Sequence, residues 1–197
     1  MAQFEVISKY IDAGLALPER KTEGSAGYDM VAAEDTVVPS IWHMFRKAES
    51  ILNLEPDEYL PLDIMAEFTK QADIRPTLVP TGMKCSLDSG TYLQLSVRSS
   101  SPLKYWIMLA NGIGIIDADY YNNPDNEGHI YFQVFNISPF NLMIKKGEVI
   151  GQGTILPYGV AENDDAKGER LGGFGSTSLQ FNLPQEAEAE AEVKEYL

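Results

Sequence analysis

The sequence predicts an all-β domain, a sandwich or jelly roll, that carries a helical insertion. Several short segments alternate apolar and polar residues, and turns rich in glycine and proline separate them, which is typical of strands in such folds. The pattern changes to helical spacing only between residues 40 and about 72. A chain of 197 residues, 44% of them hydrophobic, can build one sizeable core, so we expect one domain.

The strands are predicted from period-two alternation and from the turns that bound them. A bend at residues 111–120, with glycines 112 and 114, is predicted to form a β-hairpin. The remaining predicted strands lie at residues 4–10, from Tyr28 onward, and at 77–83, 90–97, 130–136 and 149–156.

The insertion is predicted to contain one or two helices. Apolar residues recur at helical spacing over residues 41–52 and less regularly over 62–69, and Ser40 and Asp63 are placed to cap the helices. Its apolar residues, among them Trp42 and Phe45, supply more apolar area than a solvated loop needs. The segment either packs flat on the barrel or exposes a face near the functional site; we expect the exposed face.

Composition excludes several classes of function. The net charge of −14 argues against nucleic-acid polymers as partners, and no apolar run approaches the ~20 residues that cross a bilayer. The N-terminal residues lack the pattern of a signal peptide, and the single cysteine, Cys85, cannot form an internal disulfide, so we expect a cytoplasmic protein. His43 and His129 match no zinc spacing.

The bend at residues 111–120 is the first candidate for a ligand site. Glycines 112 and 114 allow a ligand to approach the main chain, whose N–H and C=O groups can bind the edge of a flat molecule. Asp117 would stand beside that ligand and Tyr120 would cover one face of it. An ordinary hairpin with an exposed aspartate explains this stretch equally well.

Two other segments are suited to anions. Residues 98–102 place one guanidinium beside three hydroxyl groups, which suits phosphate oxygens but is also common in surface turns. Residues 170–177 combine a cation, a glycine-rich backbone, an aromatic ring and two hydroxyl groups, as expected for a mobile arm that orders over a nucleotide. Asp29, at the mouth of the second strand, could reach a hydrated metal ion or simply belong to a turn.

In this order, five segments resemble the motifs of the trimeric dUTPase family: residues 26–30, 98–100, 111–120, 147–152 and 170–177. Each motif is weak alone, but five in the right order are a strong signal. The resemblance implies a jelly-roll (β-clip) barrel, a homotrimer with active sites at subunit interfaces, and Mg²⁺-dependent cleavage of dUTP to dUMP and pyrophosphate. Such an enzyme limits uracil incorporation into DNA and supplies dUMP for dTMP synthesis.

The resemblance also implies an organisation and a set of roles. Residues 1–168 would form the barrel, with the insertion at about 40–72, 169–180 the arm that closes the site, and 181–197 an acidic tail. Asp117 matches the general base that activates water for attack on the α-phosphorus, and Asp29 matches a carboxylate that holds Mg²⁺ through its hydration shell.

The other matched positions concern the substrate. Asn111 and the backbone of the bend would bind uracil, and Tyr120 would lie against the deoxyribose and leave no room for a 2′-hydroxyl group. Ser99 and Gln152 match residues that contact phosphate or position the water. Further substrate contacts are expected from Arg98, Ser100, Gly114, Ile116, Arg170, Phe174, Gly175, Ser176 and Thr177, with the Phe174 ring on uracil and the arm's hydroxyl groups on the γ-phosphate.

The chain departs from the family pattern in four places. Ser100 stands where a glycine is usual, and Val149 where a basic residue is common. A longer loop follows Tyr120 in place of a tight Tyr-x-Gly, and Arg170 lies one residue closer to Phe174 than in many members. The insertion resembles the helical additions of some phage and Gram-positive forms.

Two alternatives remain open. A dCTP deaminase of the same fold places a catalytic glutamate where this chain has Gln133, and a neutral amide cannot transfer the protons that deamination requires. A regulatory protein that binds a protein partner through the insertion is the second alternative, either beside the enzymatic role or in its place.

Overall fold

The computed structural model describes residues 1–51, 61–168, 170 and 172–173. Among them the helices are α1 (Ile41–Ile51), α2 (Leu62–Ala72) and α3 (Ser100–Tyr105), with 3-10 turns at Ser8–Tyr10 and Ala118–Tyr120. The strands are β1 (Gln3–Val6), β2 (Tyr28–Val31), β3 (Thr36–Val38), β4 (Thr77–Pro80), β5 (Met83–Ser86), β6 (Thr91–Ser96), β7 (Ile107–Leu109), β8 (Gly114–Ile116), β9 (Tyr131–Asn136), β10 (Leu142–Ile144) and β11 (Val149–Pro157).

These strands form antiparallel sheets around one main core. One sheet has the order β2-β11-β6-β8 and another β4-β9-β7, while β1 pairs with β5 and β3 with β10. Alternate residues of β6 and β9 point inward, so that Leu93, Leu95, Phe132 and Val134 are buried in one cluster with Met30. The architecture confirms the predicted all-β class. In the described ranges no helix is both long and apolar enough to span a bilayer.

Several predicted strands differ in extent from those observed. The first ends at Val6, where the chain turns into the 3-10 segment Ser8–Tyr10. The segment 77–83 divides into β4 and β5, because Gly82 adopts φ = +70° and a methyl group there would lie 2.4 Å from Leu15 Cδ1. The short elements β3, β10 and α3 were not predicted, since three to six residues carry too little periodicity.

The hairpin predicted at residues 111–120 is wrong. β7, before the bend, pairs with β9, whereas β8, after the bend, pairs with β6 in the other sheet. The buried side chains of β7 complete the core beside β9, so the chain passes between sheets instead of doubling back. Gly112, at φ = +72°, allows this sharp change of direction.

The insertion is helical, as predicted. Ser40 Oγ accepts a hydrogen bond from the Trp42 amide at 3.2 Å, which confirms Ser40 as the cap of α1. The prediction that Asp63 caps the second helix is wrong, because α2 follows Pro61 and Asp63 lies within its first turn. Ser40 forms a bridge with Asn136, and Thr77 is the partner of Val134 two residues earlier in β9.

The insertion buries one stripe and exposes another. Ile64 and Phe68 of α2 are buried, whereas Trp42 and Phe45 of α1 and Met65 of α2 are exposed. The indole nitrogen of Trp42 donates to Ile137 O at 3.3 Å, which ties the start of α1 to the chain after β9. The exposed apolar face expected from the sequence is therefore present.

Candidate functional site

The bend after β7 forms one wall of a cavity of about 200 Å³. Six of the site residues implied by the dUTPase resemblance line this cavity together: Asn111, Gly114, Ile116, Asp117, Tyr120 and Arg170. Gly114 packs closely, since a methyl group there would lie 3.0 Å from Leu95 Cβ and would press on that side chain. Apolar strand residues and a few polar groups thus converge on a pocket that is suited to a small molecule.

Tyr120 forms a fixed wall of the cavity. It is 7% exposed, and its hydroxyl group donates to His129 O at 3.0 Å and accepts from Asn126 Nδ2 at 2.8 Å. Burial raises the pKa of the phenol, so Tyr120 remains neutral. The ring therefore presents a rigid neutral surface.

Asp117 lies at the mouth of the cavity, with half of its side chain exposed. Arg170 Nη2 is 2.5 Å from Asp117 Oδ2, and Arg170 Nε is 2.6 Å from Asp119 Oδ1. The same guanidinium lies 5.8 Å from the centre of the Tyr120 ring. One cation therefore bridges two carboxylates across the opening.

A second polar cluster lies on the four-stranded sheet. Gln152 is the register partner of both Asp29 and Ser96, and its Nε2 donates to Ser96 Oγ at 3.4 Å. A methyl group at Gly27 would lie 2.5 Å from Gln152 Oε1, so any larger residue there would displace that amide. The sheet therefore presents a carboxylate, an amide and a hydroxyl group in one row.

Asp29 carries the most unusual atom of this cluster. Its Oδ2 is buried and has no hydrogen-bond partner among the described residues, and Arg98 Nη1 is 3.7 Å away, beyond hydrogen-bonding distance. A buried carboxylate oxygen without a donor is suited to a hydrated cation, whose water molecules would supply the missing donors. No group of three or more acidic, histidine or cysteine side chains suited to a metal is found in the described ranges.

The serines after Arg98 lie at the start of helix α3. Ser99 precedes α3 and Ser100 is its first residue, so the predicted surface turn is a short helix. Arg98 and Ser100 line a second cavity of about 350 Å³, which also contacts β10 and the start of β11. These residues share no lining position with the Asp117 cavity.

The Asp29 cluster and the Asp117 cavity lie at opposite edges of the four-stranded sheet. Asp29 and Asp117 are separated by three strand spacings of ~4.8 Å and by four residue steps of ~3.4 Å, which amounts to about 20 Å along the sheet. Neither Asp29 nor Gln152 lines the Asp117 cavity, and no described residue of the insertion does so either. We expected the insertion to lie near this cavity, but in the described part of the chain none of its residues lines it.

Sequence reasoning missed several residues of the cavity. His129 and Tyr131 line it, beside Gln133, which was already matched to the deaminase glutamate, and Asp119 and Asn126 hold Arg170 and Tyr120 in place. Alternation along β9 could have indicated Tyr131, which shares a face with Gln133. Burial lowers the pKa of His129 to about 4, so this ring is neutral and accepts a hydrogen bond from the Gly82 amide at 2.9 Å. Phe174, Gly175, Ser176 and Thr177 lie outside the described residues.

Comparisons with known proteins agree on one family. A family model described as dUTPase matches residues 47–177. A deoxyuridine 5′-triphosphate nucleotidohydrolase of Lactococcus lactis subsp. lactis is 40% identical over 176 residues, which cover 88% of this chain and 95% of that protein. The crystal structure of a dUTPase from Streptococcus mutans is 34% identical with a TM-score of 0.61, over 81% of this chain and 98% of that one. The dUTPase from phage phi11 of S. aureus, 16% identical with a TM-score of 0.56 over 85% of this chain and 97% of that one, shares the fold.

Proposed function

Because this chain belongs to the dUTPase family and is a dUTP diphosphatase, we propose that Asp117 is the base with which it hydrolyses dUTP to dUMP and pyrophosphate. The observation that carries this assignment is the position of Asp117, which stands at the mouth of a cavity walled by the bend and by Tyr120. A carboxylate at that point can take a proton from a water molecule that attacks the α-phosphorus in line. The reaction limits uracil incorporation into DNA and supplies dUMP for dTMP synthesis.

The cavity is assigned to the nucleoside. Asn111 and the main chain of the bend would bind the uracil edge, beside Gly114 and Ile116. Tyr120 would lie against the deoxyribose, where its ring, held at the hydroxyl group, would leave no space for a 2′-oxygen. Steric exclusion is needed because an apolar pocket alone rejects an added hydroxyl group only ~100-fold.

The Asp29 cluster and the segment from Arg98 to Ser100 are assigned to the phosphates and to Mg²⁺. Arg98, Ser99 and Ser100 would bind phosphate oxygens, and Gln152 would position the attacking water or contact phosphate. Asp29 fits a carboxylate that holds hydrated Mg²⁺, because its buried Oδ2 lacks a donor among the described residues. When bound, Mg²⁺ would neutralise and orient the triphosphate.

We propose a homotrimer, and the separation of the two clusters supports it. A path of about 20 Å along the sheet lies between Asp29 and Asp117, and neither Asp29 nor Gln152 lines the Asp117 cavity, so we do not expect one chain to bring both carboxylates to the same α-phosphate. In a closed ring of identical subunits, the Asp117 cavity of one chain can face the Asp29 cluster of the next. Every site would then be complete only at an interface.

The arm, residues 169–180, would close each site, and the acidic tail would follow it at 181–197. Arg170 would exchange its carboxylate partners for a phosphate group, Phe174 would stack on uracil, and Gly175, Ser176 and Thr177 would bind the γ-phosphate. Arg170 already lies in the Asp117 cavity, which supports a role of the arm at that position. We place the protein in the cytoplasm with no membrane or nucleic-acid polymer as a partner.

The two alternatives are a deaminase activity, which the cavity disfavours, and binding of a protein partner, which the insertion supports. The neutral Gln133 in the cavity wall disfavours a deaminase, which needs a proton-transferring carboxylate. The exposed residues Trp42, Phe45 and Met65 support a protein partner that binds the insertion.

The proposed reaction and its need for Mg²⁺ are tested by product analysis with dUTP and dCTP, each with Mg²⁺ and with a chelator. We expect dUMP and pyrophosphate from dUTP only when Mg²⁺ is present, and no dUTP or ammonia from dCTP. Release of ammonia from dCTP would establish the deaminase alternative, and equal turnover in the chelator would remove Mg²⁺ from the reaction.

A further inference from the structure

The loop between Tyr120 and β9 is closed by side chains within it. Asn123 is buried, its Nδ2 donates to Tyr120 O at 2.8 Å, and its Oδ1 accepts from the Asp125 and Asn126 amides at 3.1 and 3.2 Å. The Asn122 amide donates to Glu127 O at 3.1 Å. The residues beyond Tyr120 thus form a compact unit and not an open connection.

Asn126 connects this loop to the Tyr120 ring. Its Nδ2 donates to the phenolic oxygen at 2.8 Å, while its Oδ1 accepts from Asn123 Nδ2 at 2.9 Å and from the Gly128 amide at 3.0 Å. The phenol in turn donates to His129 O at 3.0 Å. The far end of the ring is therefore held from two sides, and one amide joins it to the loop.

Gly128 fixes the other end of the tyrosine. It has φ = +80°, and a methyl group there would lie 2.6 Å from Tyr120 O. The loop therefore returns into direct contact with the backbone of the residue from which it started. Any residue other than glycine would displace Tyr120 or the loop.

The outer side of the loop is anchored to the barrel. Lys84 Nζ, on β5, donates to Asn122 Oδ1 at 2.6 Å and lies 5.2 Å from the centre of the Tyr121 ring. Tyr121 OH donates to Glu5 Oε1 at 2.8 Å, and Ser8 donates through its amide and hydroxyl group to Glu127 Oε2 at 3.2 and 3.0 Å. The loop is therefore braced against β1 and β5, away from the cavity.

We propose that residues 121–128 act as a positioning element that holds the Tyr120 ring rigid. Asn126 connects the loop to the hydroxyl group of that ring. The rigidity of the ring sets the discrimination between deoxyribose and ribose. The inference rests on the proposed contact of Tyr120 with the sugar. A steric filter works only if the filtering group cannot move, because a ring that shifts by about an ångström would admit the 2′-hydroxyl group.

The test measures kcat/KM for UTP relative to dUTP in a double-mutant cycle. Asn126→Ala is expected to raise this ratio about five-fold, the equivalent of one net hydrogen bond of ~1 kcal/mol. In a Tyr120→Phe background the same change should raise the ratio less than about two-fold, because the hydroxyl group that Asn126 holds is gone. An unchanged ratio in Asn126→Ala, in a protein that melts normally, would overturn the proposal.

Matched glycine variants separate positioning from general destabilisation. Gly128→Ala and Gly14→Ala both place alanine at positive φ, but no atom lies within 4 Å of a methyl group at Gly14. We expect both to lower the melting temperature and only Gly128→Ala to raise the UTP to dUTP ratio. Equal ratios in the two variants would contradict the inference. If Tyr120→Ala leaves the ratio unchanged, the sugar contact itself is wrong, which identifies the proposed function as the part that failed.

Discussion

Arg170 lies 2.5 Å from the carboxylate of Asp117 and makes the closest contact that this carboxylate has with a cation among the described residues. With 17% of its side chain exposed, Arg170 is well shielded, so the interaction is screened less than a surface pair. A triphosphate would compete for the guanidinium, since phosphate oxygens also accept its paired donors. Binding of substrate would then release Asp117 to contact water.

The first prediction concerns Asp117, the proposed base. Asp117→Asn keeps the shape of the side chain but removes the proton acceptor, so kcat for dUTP should fall at least ~10²-fold. The matched variant Asp119→Asn breaks the other contact of Arg170 and should lower kcat much less. Pyrophosphate release under saturating dUTP distinguishes the two. Near-normal turnover in Asp117→Asn would remove this residue from the role.

The second prediction concerns the shared site. Light scattering should show a trimer, and two inactive variants, Asp117→Asn and Gln152→Ala, should regain activity when they are unfolded and refolded together. If each site takes Asp117 from one chain and Gln152 from the next, about a quarter of the sites in an equal mixture carry both residues. Refolding each variant alone is the control. A mixture that stays inactive, or a fully active monomer, would contradict the interface.

The third prediction concerns the arm. Deletion of all residues after Gly168 should leave the melting temperature nearly unchanged, because the described part of the arm adds only the Arg170 contacts and the packing of Gly173 on Tyr120. The deletion should lower kcat/KM at least ~10²-fold, as loss of preorganised phosphate contacts does. Deletion after residue 180 removes only the acidic tail and should retain activity. Undiminished kcat/KM in the shorter chain would disprove the role of the arm.

The fourth prediction concerns the insertion. Ser40 and Thr77 reach positions two residues apart on the same side of β9, because Ile107 occupies the other side of Asn136. Replacement of residues 41–72 by a short Gly-Ser turn should therefore preserve the fold and the trimer. We expect kcat/KM for dUTP to change by no more than about two- to threefold, as for surface changes of ~0.5 kcal/mol. Unfolding of the variant would show that α2, with Phe68, belongs to the core.

The fifth prediction concerns the pH dependence of stability. Burial lowers the pKa of His129 to about 4, below the value of 6.5 expected when the chain is unfolded. Between these values the unfolded chain binds a proton that the folded one does not, so stability is complete above pH 6.5 and falls as the pH decreases toward 4. The loss should approach ~3 kcal/mol. Urea denaturation at pH 7 and pH 4.5 should show a smaller loss in His129→Gln, and equal losses in both proteins would contradict the assignment.

The sequence alone determined the class of fold, the position of the insertion and the membership of a family. These features depend on local information, such as the alternation in β9, the helical spacing after Ser40 and the order of five short motifs. Each of them is independent of the tertiary contacts that the segments make, because periodicity and turn chemistry act over only a few residues.

Only the tertiary structure decided which segments meet. It placed β7 and β8 in different sheets, separated Asp29 from Asp117, and brought Asn126 to Tyr120 and Arg170 to Asp117. Asp117 and Arg170 are 53 positions apart along the chain, and no local pattern specifies such a pairing. It follows from burial of Leu95, Phe132 and their neighbours in a common core, which fixes where each loop ends in space.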